Sequence, residues 1–222
     1  MNILKFFRKL SDVGITGPMA KWYDKNTRES RLPEMMGYAQ EVKKYINEGA
    51  HVLEVAPGPG YLSISLAKIG NYNITGIDIS KDFIKICKEN AKREGVNVHF
   101  IEGNVNSMKF DDNSFDFIVC SAAFKNFKEP VNSLIEMHRV LKKGGTALIM
   151  DMRSNVIKDD LKSEAIRVSK SGFERFFMIN TFKQLCKYAY TTDQMENMVK
   201  QTKFDSSKIE MTNIGFNLYL TK

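Results

Sequence analysis

From residue 50 onward, short apolar runs alternate with stretches whose apolar residues recur at helical spacing, a rhythm that predicts βαβ units and a parallel sheet. His51–Ala56 is a short buried strand ending in Pro57-Gly58-Pro59-Gly60, and a helix follows through Tyr61–Lys68, with Gly70 as its terminator. Asn73–Ile79 is the second strand, and Ser80 caps a helix over Lys81–Arg93. Val98–Glu102 is the third strand. Asp111-Asp112-Asn113-Ser114 makes a turn before the fourth, Phe115–Cys120. Asn132–Leu141 is an amphipathic helix stopped by Gly144-Gly145, ahead of a fifth strand at Thr146–Asp151.

Residues 154–190 break the rhythm: they are helical in pattern and rich in Phe and Met. Thr191-Thr192-Asp193 caps a helix through Gln201, and Lys208–Thr212 and Phe216–Thr221 form a hairpin around Asn213-Ile214-Gly215. The sum is an α/β chain with a seven-stranded, mostly parallel sheet and helices on both faces. Helical additions precede the first strand and follow the fifth. Residues 1–222 are expected to be one domain, in which 50–152 bind the ligand, 1–49 and 153–190 are helical lids, and 191–222 supply the last helix and the hairpin.

Composition changes this picture little. The chain has 222 residues, long enough for one well-buried core and short for two. No apolar run spans a bilayer, the first ten residues do not read as a secretory signal, and Cys87, Cys120 and Cys186 fit neither a zinc spacing nor a disulfide framework. The expected location is the cytoplasm, with no metal. Charge says more once it is placed along the chain. The net +7 sits in the flanks, with seven basic against three acidic residues in 1–31 and ten against six in 153–203. Residues 32–152, with 14 against 15, are almost neutral. Excess positive charge outside the ligand-binding segment is a solvated surface or an attraction for an anionic partner.

Three features of the core carry chemistry. A strand that ends in Gly58-x-Gly60 and opens a helix brings backbone N–H groups and a helix dipole close to a ligand. The full dinucleotide pattern is not met, because Ser63 occupies its last glycine position. Asp78, at the end of strand 2, is placed to accept ribose hydroxyls or to cap the next helix. Glu54 lies inside an apolar strand, where a carboxylate needs a partner. It either orients the glycine turn or attracts a cationic ligand.

Together these residues resemble a family. Val52-Leu53-Glu54-Val55-Ala56-Pro57-Gly58-Pro59-Gly60-Tyr61 is similar to motif I of the class I S-adenosylmethionine-dependent methyltransferases, and Gly76-Ile77-Asp78-Ile79-Ser80 to their ribose-binding strand end. Glu102-Gly103-Asn104-Val105, Phe115–Cys120 and Arg139–Gly145 resemble three further motifs, in order, over residues 50–152. The nearest branch is that of the ubiquinone and menaquinone biosynthesis methyltransferases. The resemblance implies a Rossmann-like fold and S-adenosyl-L-methionine as cofactor. Glu54 would then lie near its methionine end, with Ala56, Gly58 and Gly60 forming the loop. Asp78 would hold the ribose, Asn104 the adenine amine, Ile79 and Val105 the adenine faces, and Ser121 the path to the methyl group. Ala56 replaces the usual first glycine, Asn104 an aspartate, and Lys125-Asn126 stand where many relatives have histidines.

The implied reaction is displacement of the methyl group by a small-molecule acceptor, apolar or aromatic, with an anionic acceptor left open. Tyr23, Lys125 and Asp151 are the candidates for acting on that acceptor. Packing, solvent exposure and helix capping are their respective plain alternatives. His51, His99 and His138 read as structural. Phe173–Met178 and Phe182 suggest a lid helix over an apolar pocket. Ile3–Leu10 could touch a membrane, although packing on the domain is the favoured reading. A monomer or homodimer is expected. RNA or protein methylation through the basic flanks, or cofactor binding without turnover, are the alternatives. The segment Ser121-Ala122-Ala123-Phe124 does not resemble the motif used on exocyclic base amines, which disfavours a nucleic-acid substrate.

Overall fold

The structure is a computed structural model that describes residues 14–169 and 171–222. The amphipathic segment Ile3–Leu10 lies outside the described residues.

Seven strands form one sheet. They are β1 (His51–Val55), β2 (Asn73–Asp78), β3 (His99–Glu102), β4 (Phe115–Ser121), β5 (Leu141–Met152), β6 (Ser206–Met211) and β7 (Gly215–Thr221). Their order is β3-β2-β1-β4-β5-β7-β6. The first five run parallel, and β7 pairs antiparallel with both β5 and β6. This is the expected seven-stranded sheet with its closing hairpin. The chain reverses its direction of travel across the sheet between β1 and β4, and the carboxyl ends of those strands bound a crevice.

Successive β1 residues face opposite sides. Val52 joins a cluster with Met35, Ala39 and Val42 of α1 (Pro18–Lys43) and Leu62 and Leu66 of α2 (Tyr61–Ile69). Leu53 and Val55 join a cluster with Leu134, Met137 and Val140 of α4 (Pro130–Val140) and Met195 and Met198 of α7 (Thr192–Val199). Such alternation on strands buried on both faces is what a doubly wound sheet requires. Between α2 and α4 in the chain, α3 (Lys81–Glu94) packs Ile84, Cys87 and Ala91 against Ile64 and Phe100.

Local signals explain the ends of these helices. Pro18 opens α1 at a position that has no intrahelical N–H bond to lose. The Ser80 hydroxyl accepts from Phe83 N at 3.2 Å to cap α3, and Gly95, left-handed at φ 68°, closes it. The glycine pair 144–145 behaves differently from expectation. The helix stops at Val140, and β5 already begins at Leu141. Phe115 pairs with Leu141 and Phe117 with Thr146, so the two glycines lie within an irregularity of β5 rather than in a loop before it.

After β5 the chain forms α5 (Lys158–Val168) and α6 (Gly172–Cys186). Leu161 and Ala165 pack against Phe182 and Cys186, with Met152 and Ile214 beneath them. The expected Phe/Met cluster is therefore divided. Met178 and Phe182 face inward, whereas Phe173, Phe176 and Phe177 are exposed.

Candidate cofactor and acceptor site

A solvent-open cavity of about 210 Å3 lies at the carboxyl ends of β1, β2 and β3. Ala56, Ile79, Asn104 and Val105, all expected at the site, line it. Phe127, Lys128 and Glu129, from the segment after β4, line it too. Sequence patterning offered no signal for these three, because their segment has no periodicity to place it.

The glycine turn is held from several sides. Gly58 (φ 55°) and Gly60 (φ 83°) both adopt left-handed conformations. A Cβ on Gly60 would stand 2.9 Å from Phe100 and 3.0 Å from the Cys87 sulfur, whereas a Cβ on Gly58 would meet nothing within 4 Å. Gly60 thus permits close packing of the turn on α3, and Gly58 leaves its outer side open to a ligand. Cys87 Sγ donates to Gly58 O at 2.8 Å, and Asn90 Nδ2 donates to Pro59 O and to Asp24 Oδ1, both at 2.9 Å. Tyr61 Oη donates to Asp24 Oδ1 at 2.7 Å. Asp24 and Asn90 were not anticipated. Asn90 had a visible signal, as a polar residue on the buried stripe that includes Phe83, Ile84, Ile86, Cys87 and Ala91.

Glu54 is buried, and one of its oxygens accepts from both the N–H (2.9 Å) and the hydroxyl of Ser63. Ser63 is the third residue of α2, whose N-cap Gly60 has no side chain to cap the helix. The carboxylate therefore caps α2 from β1, and the serine at the third glycine position of the dinucleotide pattern is its partner. Burial raises the Glu54 carboxyl to about 7, against the lowering pull of the Ser63 bonds. A carboxyl raised in this way keeps its proton in the fold after the unfolded chain has released it. Wild-type stability is then expected to decline as pH climbs from about 4.5 to about 7. Glu54→Gln keeps an oxygen for Ser63 and removes the titration. It should raise the unfolding free energy at pH 8 by up to about 3 kcal/mol and leave it unchanged near pH 4, as read by urea unfolding. An equal effect at both pH values would sink this account.

Asp78, also buried, accepts from Gly58 N at 3.1 Å and Ser80 N at 2.8 Å. Desolvation raises its carboxyl to about 6, opposed by those two N–H groups. The chain before α1 crosses this turn: Ser80 Oγ donates to Ile15 O at 2.5 Å, and Gly17 N to Asp82 Oδ2 at 2.7 Å. Asn104 turns its side-chain oxygen back onto Asn106 N at 2.9 Å, so that oxygen is already engaged locally. Ala56 stands at φ 55°, a conformation that costs a residue with a Cβ about 1–2 kcal/mol. The missing motif glycine is thus tolerated at the price of strain, beside a second left-handed alanine, Ala122 (φ 57°), at the end of β4.

Of the three candidates for acting on an acceptor, two meet. Lys125 Nζ lies 2.8 Å from Asp151 Oδ1, with side-chain exposures of only 7% and 2%. Lys125 is therefore not the solvated lysine that was the plain alternative. Asp151 also accepts from Lys125 N (2.9 Å) and Met152 N (2.8 Å), and Lys125 Nζ donates to Ala122 O (2.6 Å). Tyr23 lies apart from this pair, with its ring edge-on to Phe83 of α3 at 5.9 Å. His51 and His99 stand at the amino ends of their strands, away from the cleft, and His138 is in α4. Among the described residues no group of three or more His, Cys, Asp or Glu side chains is placed to hold a metal ion.

S-adenosylmethionine fits these residues. Ser121 Oγ, one residue beyond the Val55–Cys120 pair of β1 and β4, is buried with no hydrogen-bond partner, the kind of vacancy in bonding that a buried polar atom seldom keeps. Gly58 opens outward, Asp78 presents a carboxylate at a strand end, and Ile79 and Val105 supply apolar walls.

Comparison with known proteins covers the same stretch of the chain. The pattern of the methyltransferase domain family matches residues 53–149. A demethylmenaquinone methyltransferase of Chlorobaculum tepidum is 32% identical over 157 residues, covering 66% of this chain and 63% of that protein. One from Listeria welshimeri is 36% identical over 109 residues, covering 48% and 46%. The chain thus spans less than two thirds of the length of these curated relatives. Among solved structures, an S-adenosylmethionine-dependent methyltransferase of unproven activity from Methanococcus maripaludis superposes with a TM-score of 0.72 at 23% identity, over 91% of each chain. One from Aquifex aeolicus gives 0.70 at 20% identity, over 90% of this chain and 97% of the other.

Proposed function

We propose that this chain, a member of the class I S-adenosylmethionine-dependent methyltransferases, transfers a methyl group to a quinone-like small molecule. The observation that carries the reading is the crevice at the β1–β4 switch, bordered by an outward-open glycine turn, a buried strand-end carboxylate bonded to that turn and, at the end of β4, an unpartnered serine hydroxyl. The named activity of the Chlorobaculum and Listeria relatives supports the acceptor class.

Gly58 and Gly60 would receive the methionine portion, with the N–H groups at the start of α2 free of intrahelical bonds. Asp78 would accept from the ribose hydroxyls, and Ile79 and Val105 would enclose the adenine. Ser121 Oγ would find its missing partner in the ligand. When bound, S-adenosylmethionine would supply an electrophilic sulfonium methyl for transfer to the acceptor's nucleophilic atom. Alignment of the two partners is then the protein's main contribution, of about 7–11 kcal/mol in favourable cases.

A hydroquinone or phenol must also lose a proton. Asp151 already accepts three N–H groups, so it serves better as the anchor of Lys125 than as a base. Two Lys125 N–H groups are engaged, by Asp151 and Ala122. The third would steady the oxygen anion of an acceptor that has released its proton to solvent. No role follows for Tyr23 beyond packing.

The test is transfer of labelled methyl from S-adenosylmethionine to a panel of reduced naphthoquinones and benzoquinones lacking a ring methyl. Label should appear in at least one of them, and RNA should remain unlabelled. Cofactor binding with no labelled quinone product would overturn the acceptor assignment, and labelled RNA would move it to the basic flanks.

A further inference from the structure

The corner between α5 and α6 carries an apolar surface that the cleft does not use. Residues 171–177 are exposed throughout. Phe173, Phe176 and Phe177 are 83%, 69% and 64% exposed, and Ile166 and Val168, at the end of α5, are 54% and 42% exposed. The spacing of the three phenylalanines places them along one side of the first turns of α6. The inward side is already filled by Met178, Phe182 and Cys186. A capping box, with Ser171 and Glu174 bonding each other's backbone, holds the start of the helix and therefore the direction of the rings.

We propose that this corner docks on an anionic lipid bilayer, with the three phenyl rings inserted among the headgroups. Its area favours a bilayer over a second copy of the chain. Three phenylalanines at these exposures present about 400 Å2, on the basis of 150–250 Å2 each, and Ile166 and Val168 add a smaller share. A standard protein interface needs about 800 Å2 per partner. Shallow insertion of an amphipathic helical surface needs far less, and it gains from basic neighbours. Those neighbours are present: Lys183 and Lys187 follow along the helix, and Arg175, next to the acidic Glu174, lies in its first turns, all exposed. Residues 153–203 hold ten basic and six acidic side chains. No described helix is long and apolar enough to cross a membrane, so the contact is a surface one.

The corner is tethered where β5 ends, on the edge of the sheet that also carries the cleft. Docking would bring that edge to the bilayer. The benefit to an apolar acceptor rests on the proposed function, whereas the docking itself does not.

The test is co-sedimentation of the full chain at low salt with vesicles of phosphatidylcholine alone or mixed with phosphatidylglycerol. Binding should be strong only with the mixed vesicles. Phe173→Ser should lower partitioning by about 10-fold, and the triple change of Phe173, Phe176 and Phe177 to Ser by 100-fold or more. Binding of S-adenosylhomocysteine should be unchanged in both variants, which reports an intact core. In a Trp22→Phe background, Phe173→Trp provides a single reporter whose emission should shift to the blue on mixed vesicles. Three outcomes overturn the proposal: wild type that ignores both vesicles, serine variants that bind as wild type does, or an unmoved reporter. A wild-type dimer that the triple change disperses would assign the surface to a second copy instead. Failure of methyl transfer alone would leave vesicle binding intact, so the two readings fail separately.

Discussion

Asp78→Asn should abolish measurable binding of S-adenosylhomocysteine, with a loss of about 100-fold or more, in a protein that still folds. The Asp78 carboxylate uses one oxygen for Gly58 N and the other for Ser80 N. It thereby sets the glycine turn and the entry to α3, while its remaining lone pairs are available to a ribose. Asparagine has one acceptor oxygen and one amide donor. It must point that donor at Gly58 or at Ser80, and it cannot accept two ribose hydroxyls as well. Hydrogen bonds to charged groups contribute about 1.5–3 kcal/mol each. Loss of two accounts for about 100-fold, before any displacement of the turn is counted. The pH dependence sharpens the prediction. Burial puts the Asp78 carboxyl near 6 in the unliganded fold. A ligand that donates hydroxyl protons selects the ionised form, so binding releases a proton wherever the group was protonated. Affinity should therefore rise with pH through 6 and level off above about 7, and it should fall up to tenfold per unit on the acid side. Calorimetry from pH 5 to 8 reads the slope in the wild type and the loss of binding in the variant. Unchanged affinity in Asp78→Asn would remove Asp78 from the site.

The same residue illustrates what sequence alone makes legible. A carboxylate at the end of an apolar strand, 18 residues beyond Gly60, is a pattern along the chain, as are the glycine turn and the strand rhythm. Such features arise from short-range periodicity, which is why the seven strands and the antiparallel hairpin could be read directly. Side-chain partners separated by long stretches of chain could not. Asp24 meets Tyr61 and Asn90, and Lys125 meets Asp151, only because the sheet order brings their elements together. Glu54 lies between the two cases. Its need for a partner was visible, but the partner turned out to be Ser63, the residue whose departure from the dinucleotide pattern had seemed only a loss. The glycines at 144–145 misled because a glycine pair is a stop signal in a helix and a bulge signal in a strand, and local sequence does not say which element has begun. Ala56 kept the left-handed backbone of the glycine it replaces, a strain that no spacing rule reports.

Asp151→Leu should destabilise the fold by about 3–5 kcal/mol, the range for breaking one side of a buried ion pair. Lys125→Met should cost distinctly less. The asymmetry follows from what each change strands. Without the carboxylate, the Lys125 ammonium keeps only Ala122 O inside a nearly closed environment, and the N–H groups of Lys125 and Met152 lose their acceptor. Without the ammonium, the carboxylate retains both of those N–H groups as hydrogen-bond donors. Replacing both residues removes both charges, but it still leaves the two N–H groups orphaned. The double variant should therefore lie between wild type and Asp151→Leu, with a coupling of about 1–3 kcal/mol in the cycle. Urea unfolding of the four proteins measures this. Function should divide the other way, because in the proposed mechanism it is the ammonium that faces the acceptor. Lys125→Met should bind S-adenosylhomocysteine as wild type does and lose methyl transfer. Equal destabilisation by the two single changes would mean that the backbone bonds to Asp151 contribute little, and full transfer by Lys125→Met would leave the pair a purely structural clamp between β4 and β5.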